Sequence, residues 1–473
     1  MEILGLIGIL VALILFIVLV YKNCVSYWSV MICVAIVALT NQLNPLEALT
    51  KTFVGGLTDL FLQMFSIVFC GAILGKLFTD VGAANSIATA LIKRFLPGED
   101  TKNKIFQAVL ILFIFNGLCT MGGIDGYVGI FTMFPIYMLV CKKCDIPRRF
   151  LPGMMFLNCM FMAAPGAPQI HNVMAVAAMN SASAAAVEEG AIPFFVNTTA
   201  GLIPGWICVV IIAVLSLTYM PRAIKKAQAK GEHFDAGGCE MIERDTSNLP
   251  HWFVSLLPLV AVFVCYSILH LDIFWALTIG IAATVILMGK YLPRQDVRGN
   301  RISLIQSLVN SLNMGAGQYP NALLSVITPS GLAAVVTSTA AFGLVIGIFY
   351  GMSAAVPMAL VALIATCVIV ALTSSPPAAL MIVLPNIIVP IALQAGVDMT
   401  VNAAIFTRIA AIAASTFESL PFNGMCVMLM GVSHCTIKES YKPMGVISVG
   451  FTLIGAIICT ILAIIAPGLF AIG

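Results

Sequence analysis

Four ionisable side chains lie within or beside long apolar segments of this sequence: Asp125, His171, Arg408 and Glu418. A charge at the centre of a membrane helix costs at least about 2.5 kcal/mol, so such groups usually face a partner or a polar cavity. The planar guanidinium of Arg408 suits a carboxylate that accepts two hydrogen bonds. Arg408 is therefore a candidate for binding an organic anion. The alternatives are an arginine that reaches the membrane interface or one that pairs with Glu418.

The other three groups are candidates for handling a coupling cation. A carboxylate removed from water can exchange a proton near neutral pH, and an ionised one beside free carbonyls can hold Na⁺. Asp125 and Glu418 fit either role. The alternative for Asp125 is helix capping, and the alternative for Glu418 is a structural role. His171 would suit proton transfer, although we favour a structural, hydrogen-bonded histidine.

Two apolar segments end in breaks that a helix cannot cross undisturbed. The first, AAPGAPQIHNV at 163–173, contains Pro165 and Gly166, and the second is ESLPFNG at 418–424. Proline removes a backbone donor and glycine relaxes the dihedral angles. Irregular backbone persists at membrane depth only where it is buried in protein or lines a cavity. The two breaks therefore predict a binding site.

Two further interruptions lie at corresponding positions in the two halves of the chain: NGLCTMGGIDG at 116–126 and TSSPPAALMIVLP at 373–385. Polar residues in all four stretches could hydrogen-bond a hydroxy acid, and broken helices could direct their positive ends at its carboxylate. Capping of the break is the alternative for each. The candidate substrate-binding residues beside Arg408 are Gly122, Gly123, Pro165, Gly166, Gln169, Asn172, Ser374, Ser375, Ser419 and Asn423.

The composition places these segments in a membrane. The chain has 473 residues, of which 61% are hydrophobic and 9% charged, whereas about a quarter of the residues in a soluble domain are charged. With roughly 20 apolar residues per span, the length predicts an all-α polytopic protein of about ten to twelve spans. The net charge of +3 gives no reason to expect nucleic-acid binding. The 14 cysteines form no disulfide or metal-site pattern, and no metal or cofactor is expected, Na⁺ excepted.

The distribution of lysine and arginine predicts two repeats of inverted topology. Residues 1–221 form the first repeat, 222–251 a cytoplasmic linker, and 252–473 the second repeat. The stretch LFTDVGAANSI at 77–87 is weakly echoed by VITPSGLAAVV at 326–336. Paired breaks in two inverted repeats are typical of transporters that bind substrate between their halves.

The stretch CGAILGKLFTDVGAANSIATALIKRF at 70–95 resembles the signature of the gluconate permease family, with its G-x-x-L-G-K, D-x-G and I-A-T-x-L-I elements. The resemblance extends to Pro152, Leu157, Pro165 and Pro168, and to IKESYKPM at 437–444. It implies a multi-pass permease of the bacterial cytoplasmic membrane. Such proteins take up sugar acids, hydroxy acids or D-serine, usually with protons.

The chain departs from this family at the site itself. The family's Pro-Pro-His-Pro-Gly-Pro break is PGAPQI here, so its histidine is Ala167. Its Ser-His-Val-Asn-Asp-Ser-Gly run is matched by 418–424, and the acid after its first glycine break by Tyr127. These departures argue against gluconate and for a smaller or less hydroxylated anion. Coupling through the family's histidines is not available.

The sequence therefore predicts a secondary active transporter that takes up a small organic carboxylate with a cation, a proton rather than sodium, by alternating access. A D-amino acid permease of the same fold is the alternative. A channel would need no coupling acids, and a membrane-embedded enzyme would need a reactive motif, such as a phosphate loop, that the sequence lacks. The expected partners are the substrate anion, the coupling ion and the bilayer. The sequence does not locate an interface, so a homodimer is neither predicted nor excluded.

Overall fold

The computed structural model describes residues 2–22, 26–95, 103–121, 126–167, 169–188, 190–239, 248–269, 271–295, 300–373, 375–421 and 423–471. These residues are almost entirely helical, and across the described ranges the only β-type pairing is an isolated bridge between Gln295 and Arg301. Helices satisfy their backbone hydrogen bonds within one segment, which a lipid environment requires. The prediction of an all-α polytopic membrane protein with broken helices is confirmed.

Ten α-helices lie in the described residues before the linker. They are α1 (Glu2–Tyr21), α2 (Ser26–Thr40), α3 (Pro45–Glu47), α4 (Phe53–Asp80), α5 (Ala83–Phe95), α6 (Lys104–Met121), α7 (Gly126–Lys143), α8 (Leu151–Met155), α9 (Ile170–Glu188) and α10 (Leu202–Gln228). A π-helical turn, Ala48–Thr52, leads into α4, and a 3₁₀-helix, Phe156–Ala163, extends α8. The helix α10 continues to Gln228, past the predicted start of the linker at residue 222.

The part after the linker contains α11 (Trp252–Phe263), α12 (Ile273–Met288), α13 (Leu304–Thr337), α14 (Ala340–Ser353), α15 (Met358–Thr373), α16 (Pro376–Val383), α17 (Val389–Gln394), α18 (Met399–Ala414), α19 (Gly424–Ser433), α20 (Ile437–Gly445) and α21 (Thr452–Ile465). π-Helical turns join α16 to α17 and α20 to α21. Pro376 and Pro377 begin α16, where a missing N–H costs nothing.

Six segments of the described chain are long and apolar enough to cross a bilayer: Lys104–Met121, Ile170–Glu188, Leu202–Gln228, Ile273–Tyr291, Pro376–Gln394 and Ile437–Ile465. A further pair, Ser330–Thr337 with Ala340–Ser353, passes the same test but is bent by 80°. Shorter apolar helices accompany them, such as Met399–Ala414. The chain is therefore built of full spans combined with shorter and broken ones.

The helices α4 and α13 pack against each other along much of their length. Ser330 Oγ donates to the carbonyl oxygen of Gly56 at 2.9 Å, and Ser311 Oγ donates to Asp80 Oδ2 at 2.7 Å. Lys76 Nζ lies 3.0 Å from the other carboxylate oxygen of Asp80, which is buried, whereas Lys76 is half-buried. The charge of Asp80 is thus compensated within the packed helices, which fits a structural role.

The order of elements before the linker recurs after it. A helical hairpin (α1–α2, then α11–α12) is followed by a long helix (α4, then α13) and a shorter one (α5, then α14). An interrupted pair of helices follows, and then a helix that ends at one of the two predicted breaks, with a further helix beyond it. This order agrees with the predicted repeats. The inverted orientation and the domain boundaries stay predictions.

Candidate functional site

The first break is a turn between the 3₁₀-helix that ends at Ala163 and the start of α9 at Ile170. Gly166 adopts a left-handed conformation, with φ of +78°, and its N–H donates to the carbonyl oxygen of Thr198 at 2.8 Å. Asn172 Nδ2 donates to the carbonyl oxygens of Ala167 and Thr198, each at 3.0 Å. The break is therefore held against the loop that precedes α10, and protein groups satisfy its freed backbone.

Arg408 reaches this break from α18, which belongs to the other part of the chain. Its side chain is fully buried. Nε donates to the carbonyl oxygen of Ala200 at 2.8 Å, Nη1 to that of Ala163 at 2.6 Å, and Nη2 to that of Thr198 at 3.2 Å. The side chain is enclosed by protein, and its bonded partners are carbonyl oxygens rather than Glu418, so the pairing with Glu418 considered as an alternative is not observed.

Two glycines, Gly201 just before α10 and Gly205 in its first turn, make room for this arrangement. A Cβ at Gly201 would lie 2.9 Å from Arg408 Cβ, and one at Gly205 would lie 2.3 Å from Pro165 Cγ. The second distance is too short for any real contact. The stem of Arg408 and the ring of Pro165 therefore occupy space that a larger residue at either position would fill.

The second break lies between the end of α18 at Ala414 and the start of α19 at Gly424. Asn423 caps α19, since its Oδ1 accepts from the N–H of Met425 at 2.9 Å. The hydroxyl of Ser419 is hydrogen-bonded to that of Ser448, in the π-helical turn Val446–Phe451. Asn423 thus has the capping role that was its alternative to substrate binding, and Ser419 is bonded within the protein.

The two breaks meet through His171. Its Nδ1 lies 2.8 Å from Ser415 Oγ, and its Nε2 lies 3.4 Å from Glu418 Oε1, with side chains that are 1% and 5% exposed. The second contact lacks hydrogen-bond geometry, and Glu418 Oε2 has no hydrogen-bond partner among the residues that the structure describes. A histidine from the first break and a carboxylate from the second thus form one buried cluster.

Two further candidates connect the breaks to neighbouring helices. Gln169 Nε2 donates to the carbonyl oxygen of Thr120 at 2.6 Å, at the end of α6. Ser375 is buried and precedes α16, and its N–H lies 3.4 Å from Thr373 Oγ1. The remaining candidates lie outside the described residues: Gly122, Gly123, Asp125 and Ser374. Their roles stay predictions.

Sequence reasoning missed the loop before α10. The carbonyl oxygen of Thr198 accepts from the N–H of Gly166, from Asn172 Nδ2 and from Arg408 Nη2. Every residue has a carbonyl, so no residue type marks this role, and the only signal is the polar run Asn197-Thr198-Thr199 between apolar segments. Ser415, which orients His171, was also missed. Within the described ranges, no three His, Cys, Asp or Glu side chains are grouped so that they could hold a metal ion.

Comparison with known proteins shows that no family model matches the chain. A protein of Bacillus subtilis (strain 168) described as "Uncharacterized transporter YxjC" is 25% identical over 455 residues, which cover 86% of this chain and 87% of that protein. The crystal structure of the YdaH transporter of Alcanivorax borkumensis, described as having an unusual topology, covers 88% of each chain, with 13% identity and a TM-score of 0.46. The sequence similarity is thus to a transporter and does not single out the gluconate permeases.

Proposed function

We propose that this chain is a secondary active transporter that carries a small organic carboxylate together with a proton, by alternating access. Its membrane helices and its similarity to a transporter over most of its length support the general class. The observation that carries the coupled mechanism is the buried contact between His171 and Glu418, 3.4 Å apart. This contact joins the two breaks, where a binding site between two halves is expected.

The cluster is suited to binding a proton. Ser415 Oγ donates to the carbonyl oxygen of Ala411 at 3.4 Å, so we assign the imidazole proton to Nδ1, which donates to the same hydroxyl. Nε2 then presents a lone pair towards Glu418. Two buried acceptors that face each other repel, and a proton on either one removes the repulsion. A proton placed between the two atoms would therefore satisfy both, and its exchange with water would require the side chains to separate.

Arg408 supplies a positive charge near the same place. Three of its five N–H groups donate to carbonyl oxygens, and none of the bonded partners found in the described part of the chain is a carboxylate. Asn172 Oδ1 is buried with no hydrogen-bond partner in that part of the chain. A hydroxy acid could place its carboxylate beside the guanidinium and donate its hydroxyl proton to Asn172.

The proposed proton site at His171 and Glu418 and the proposed anion site at Arg408 are separate but linked through α9. His171 and Asn172 are adjacent in α9, and one contacts Glu418 whereas the other contacts Thr198 beside Arg408. From Arg408 to the end of α18 the helix rises about 9 Å, so Arg408 and the start of the second break lie at different levels of the helix. We therefore propose a carboxylate bound beside Arg408 and a proton held at Glu418, and D-serine is kept as the alternative substrate in the test below.

The proposal is tested by uptake into proteoliposomes of labelled short carboxylates, with D-serine as a further substrate, under imposed proton or sodium gradients. The wild type is compared with Glu418→Gln and, as a control, Glu188→Gln at an exposed position. We expect one carboxylate to accumulate under the proton gradient, and Glu418→Gln to lose accumulation but retain exchange of labelled for unlabelled substrate. Glu188→Gln should transport normally.

Each part of the proposal has an outcome that would contradict it. Accumulation that follows only the sodium gradient, or that survives in Glu418→Gln, excludes the proton role of the pair. Accumulation of D-serine alone excludes the carboxylate. If none of the solutes accumulates under either gradient, the transport class itself is wrong.

A further inference from the structure

We infer that the guanidinium of Arg408 fills a cation-binding site made of backbone carbonyls, so that the protein carries at its first break a permanent cation in place of a dissolved one. The inference rests on the proposed function for its role in transport, but its evidence is the geometry alone. Three carbonyl oxygens, those of Ala163, Thr198 and Ala200, lie 2.6–3.2 Å from the three nitrogens of one fully buried guanidinium.

The chemistry of this oxygen set suits a cation. Carbonyls of unwound backbone are the ligands with which transporters of broken-helix design hold Na⁺, and hard cations prefer oxygen ligands. Ala163 ends a 3₁₀-helix, whose last carbonyls carry partial negative charge. Thr198 and Ala200 lie in the irregular loop before α10. These carbonyls therefore converge on one point from the end of the 3₁₀-helix and from the irregular loop.

The described partners of Arg408 are dipoles and not charges. A buried charge without a partner is strongly destabilising, yet the bonded partners of Arg408 among the described residues are neutral carbonyls. Their dipoles must therefore stabilise the charge. Thr198 illustrates this, because its oxygen accepts from two neutral donors as well as from Arg408. The stem fits beside Gly201, where a Cβ would lie 2.9 Å away, so the guanidinium is held in place by packing.

One consequence concerns ion coupling. Because Arg408 fills the site, Na⁺ cannot bind to these carbonyl oxygens in the wild type. The coupling ion is then the proton of the His171–Glu418 pair. Removal of the side chain leaves the oxygens without a cation and creates a cavity of guanidinium shape. A cation from solution should then bind there.

The test is a thermal-unfolding titration of the purified full-length protein with low millimolar guanidinium chloride, NaCl or KCl, at ionic strength held constant with choline chloride. We expect Arg408→Ala to melt below the wild type and to regain part of the loss with guanidinium, in a saturable way, whereas choline has no effect. The wild type should respond to none of the cations relative to choline. Arg408→Lys should respond to none of the cations, because its ammonium group occupies the site.

Arg148→Ala is the matched control. Arg148 Nη1 also donates to a carbonyl oxygen, that of Ser433, at 2.7 Å, but its side chain is 14% exposed. Water can therefore replace it, and guanidinium should not rescue this variant. Equal rescue of both variants would show an unspecific effect of guanidinium and overturn the inference.

Two other results would also overturn it. The first is an Arg408→Ala variant whose melting temperature is unaffected by every cation. The second is a wild type, or an Arg408→Lys variant, that Na⁺ stabilises, and this arm is decisive even if Arg408→Ala does not fold. No substrate is used, so the outcome is independent of the uptake experiment: loss of one proposal leaves the other standing.

Discussion

At the scale of residues, the molecule is organised by a few buried polar contacts between sequence-distant groups. His171 contacts Ser415 and Glu418, and its neighbour Asn172 contacts Thr198, which in turn is bonded to Arg408. A shift of the first turn of α9 would therefore alter both clusters at once. This gives a physical route by which protonation at one cluster could change anion binding at the other.

Ser415→Ala tests whether the serine sets the tautomer of His171. Loss of one buried hydrogen bond costs about 1 kcal/mol of unfolding free energy, and with it the preference for a proton on Nδ1. We expect a changed pH profile of uptake beyond what the small stability loss explains. The measurements are uptake from pH 5 to 9 and thermal unfolding of the same preparation.

Ser419→Ala is the control from the same break. Its hydroxyl bonds to Ser448, not to His171. This variant should lose similar stability and keep the wild-type pH profile. A profile that shifts equally in both variants would refute the role assigned to Ser415.

At the scale of elements, the breaks depend on how closely neighbouring helices approach them. α10 passes the first break with Gly205 against Pro165, where a Cβ would lie 2.3 Å from Cγ. α18 passes on the other side and supplies Arg408, and α9 starts from the break itself. The geometry of the turn is thus set by three neighbouring helices as well as by its own proline and glycine.

Gly205→Ala should displace Pro165 and the turn. We expect a loss of about 1–3 kcal/mol of unfolding free energy, typical of an overpacked site, together with a strong loss of substrate affinity. Uptake kinetics and denaturant or thermal unfolding measure the two effects. Gly343→Ala in α14 is the control, because a Cβ there meets nothing within 4 Å, and helix propensity predicts a gain of about 0.5–1 kcal/mol. Normal affinity in Gly205→Ala would contradict this account of the break.

At the scale of the whole molecule, the halves are connected at the breaks and again at the linker. The start of the linker packs on the loop between α7 and α8, where Arg149 Nε lies 2.5 Å from Glu232 Oε2 and His233 Nδ1 lies 2.6 Å from Asp145 Oδ2. Arg148 in the same loop binds the carbonyl oxygen of Ser433 at the end of α19. Cys239 of the linker also donates from Sγ to the carbonyl oxygen of Ser433 at 3.4 Å, so the linker is attached to both halves outside the predicted site.

The contact with Arg149 lowers the pKa of Glu232 below its ordinary value of 4.5. A lowered folded-state pKa means that the pair stabilises the folded protein above the unfolded pKa, and that this contribution is lost as the pH falls through the folded value. The pair is partly exposed, so Glu232→Gln should cost no more than about 1 kcal/mol at pH 7. Melting curves should show the difference shrink as the pH falls below 4.5, and a difference that stays constant through the acidic range would contradict it.

The predicted topology places Glu188 outside the cell and the linker inside. A membrane-impermeant maleimide applied to intact cells should therefore label Glu188→Cys but not Glu232→Cys, and labelling should reverse in inside-out vesicles. The native cysteines in the described ranges are buried or half-buried, which keeps the background low. Labelling of Glu232→Cys in intact cells would invert the assigned orientation and refute the charge-based topology.

The sequence by itself determined the class of fold and the places where helices break. Apolar length, charge depletion, proline and glycine act locally, so they marked the spans, the breaks at 163–173 and 418–424, and the four ionisable candidates. It also gave the resemblance to gluconate permeases, whose substrate class stays a prediction. The structure agrees on the positions of both breaks.

Only the tertiary structure decided what these residues contact. Arg408 and Ala200 are 208 positions apart, and His171 and Ser415 are 244 apart, so no local pattern relates them. The sequence suggested Glu418 as a partner for Arg408, whereas the fold gave Arg408 backbone carbonyls and gave Glu418 the imidazole. Carbonyl groups are common to all residues, and their direction depends on the backbone path. The ligands of a buried arginine therefore become visible only once helices from both parts of the chain have packed around the break.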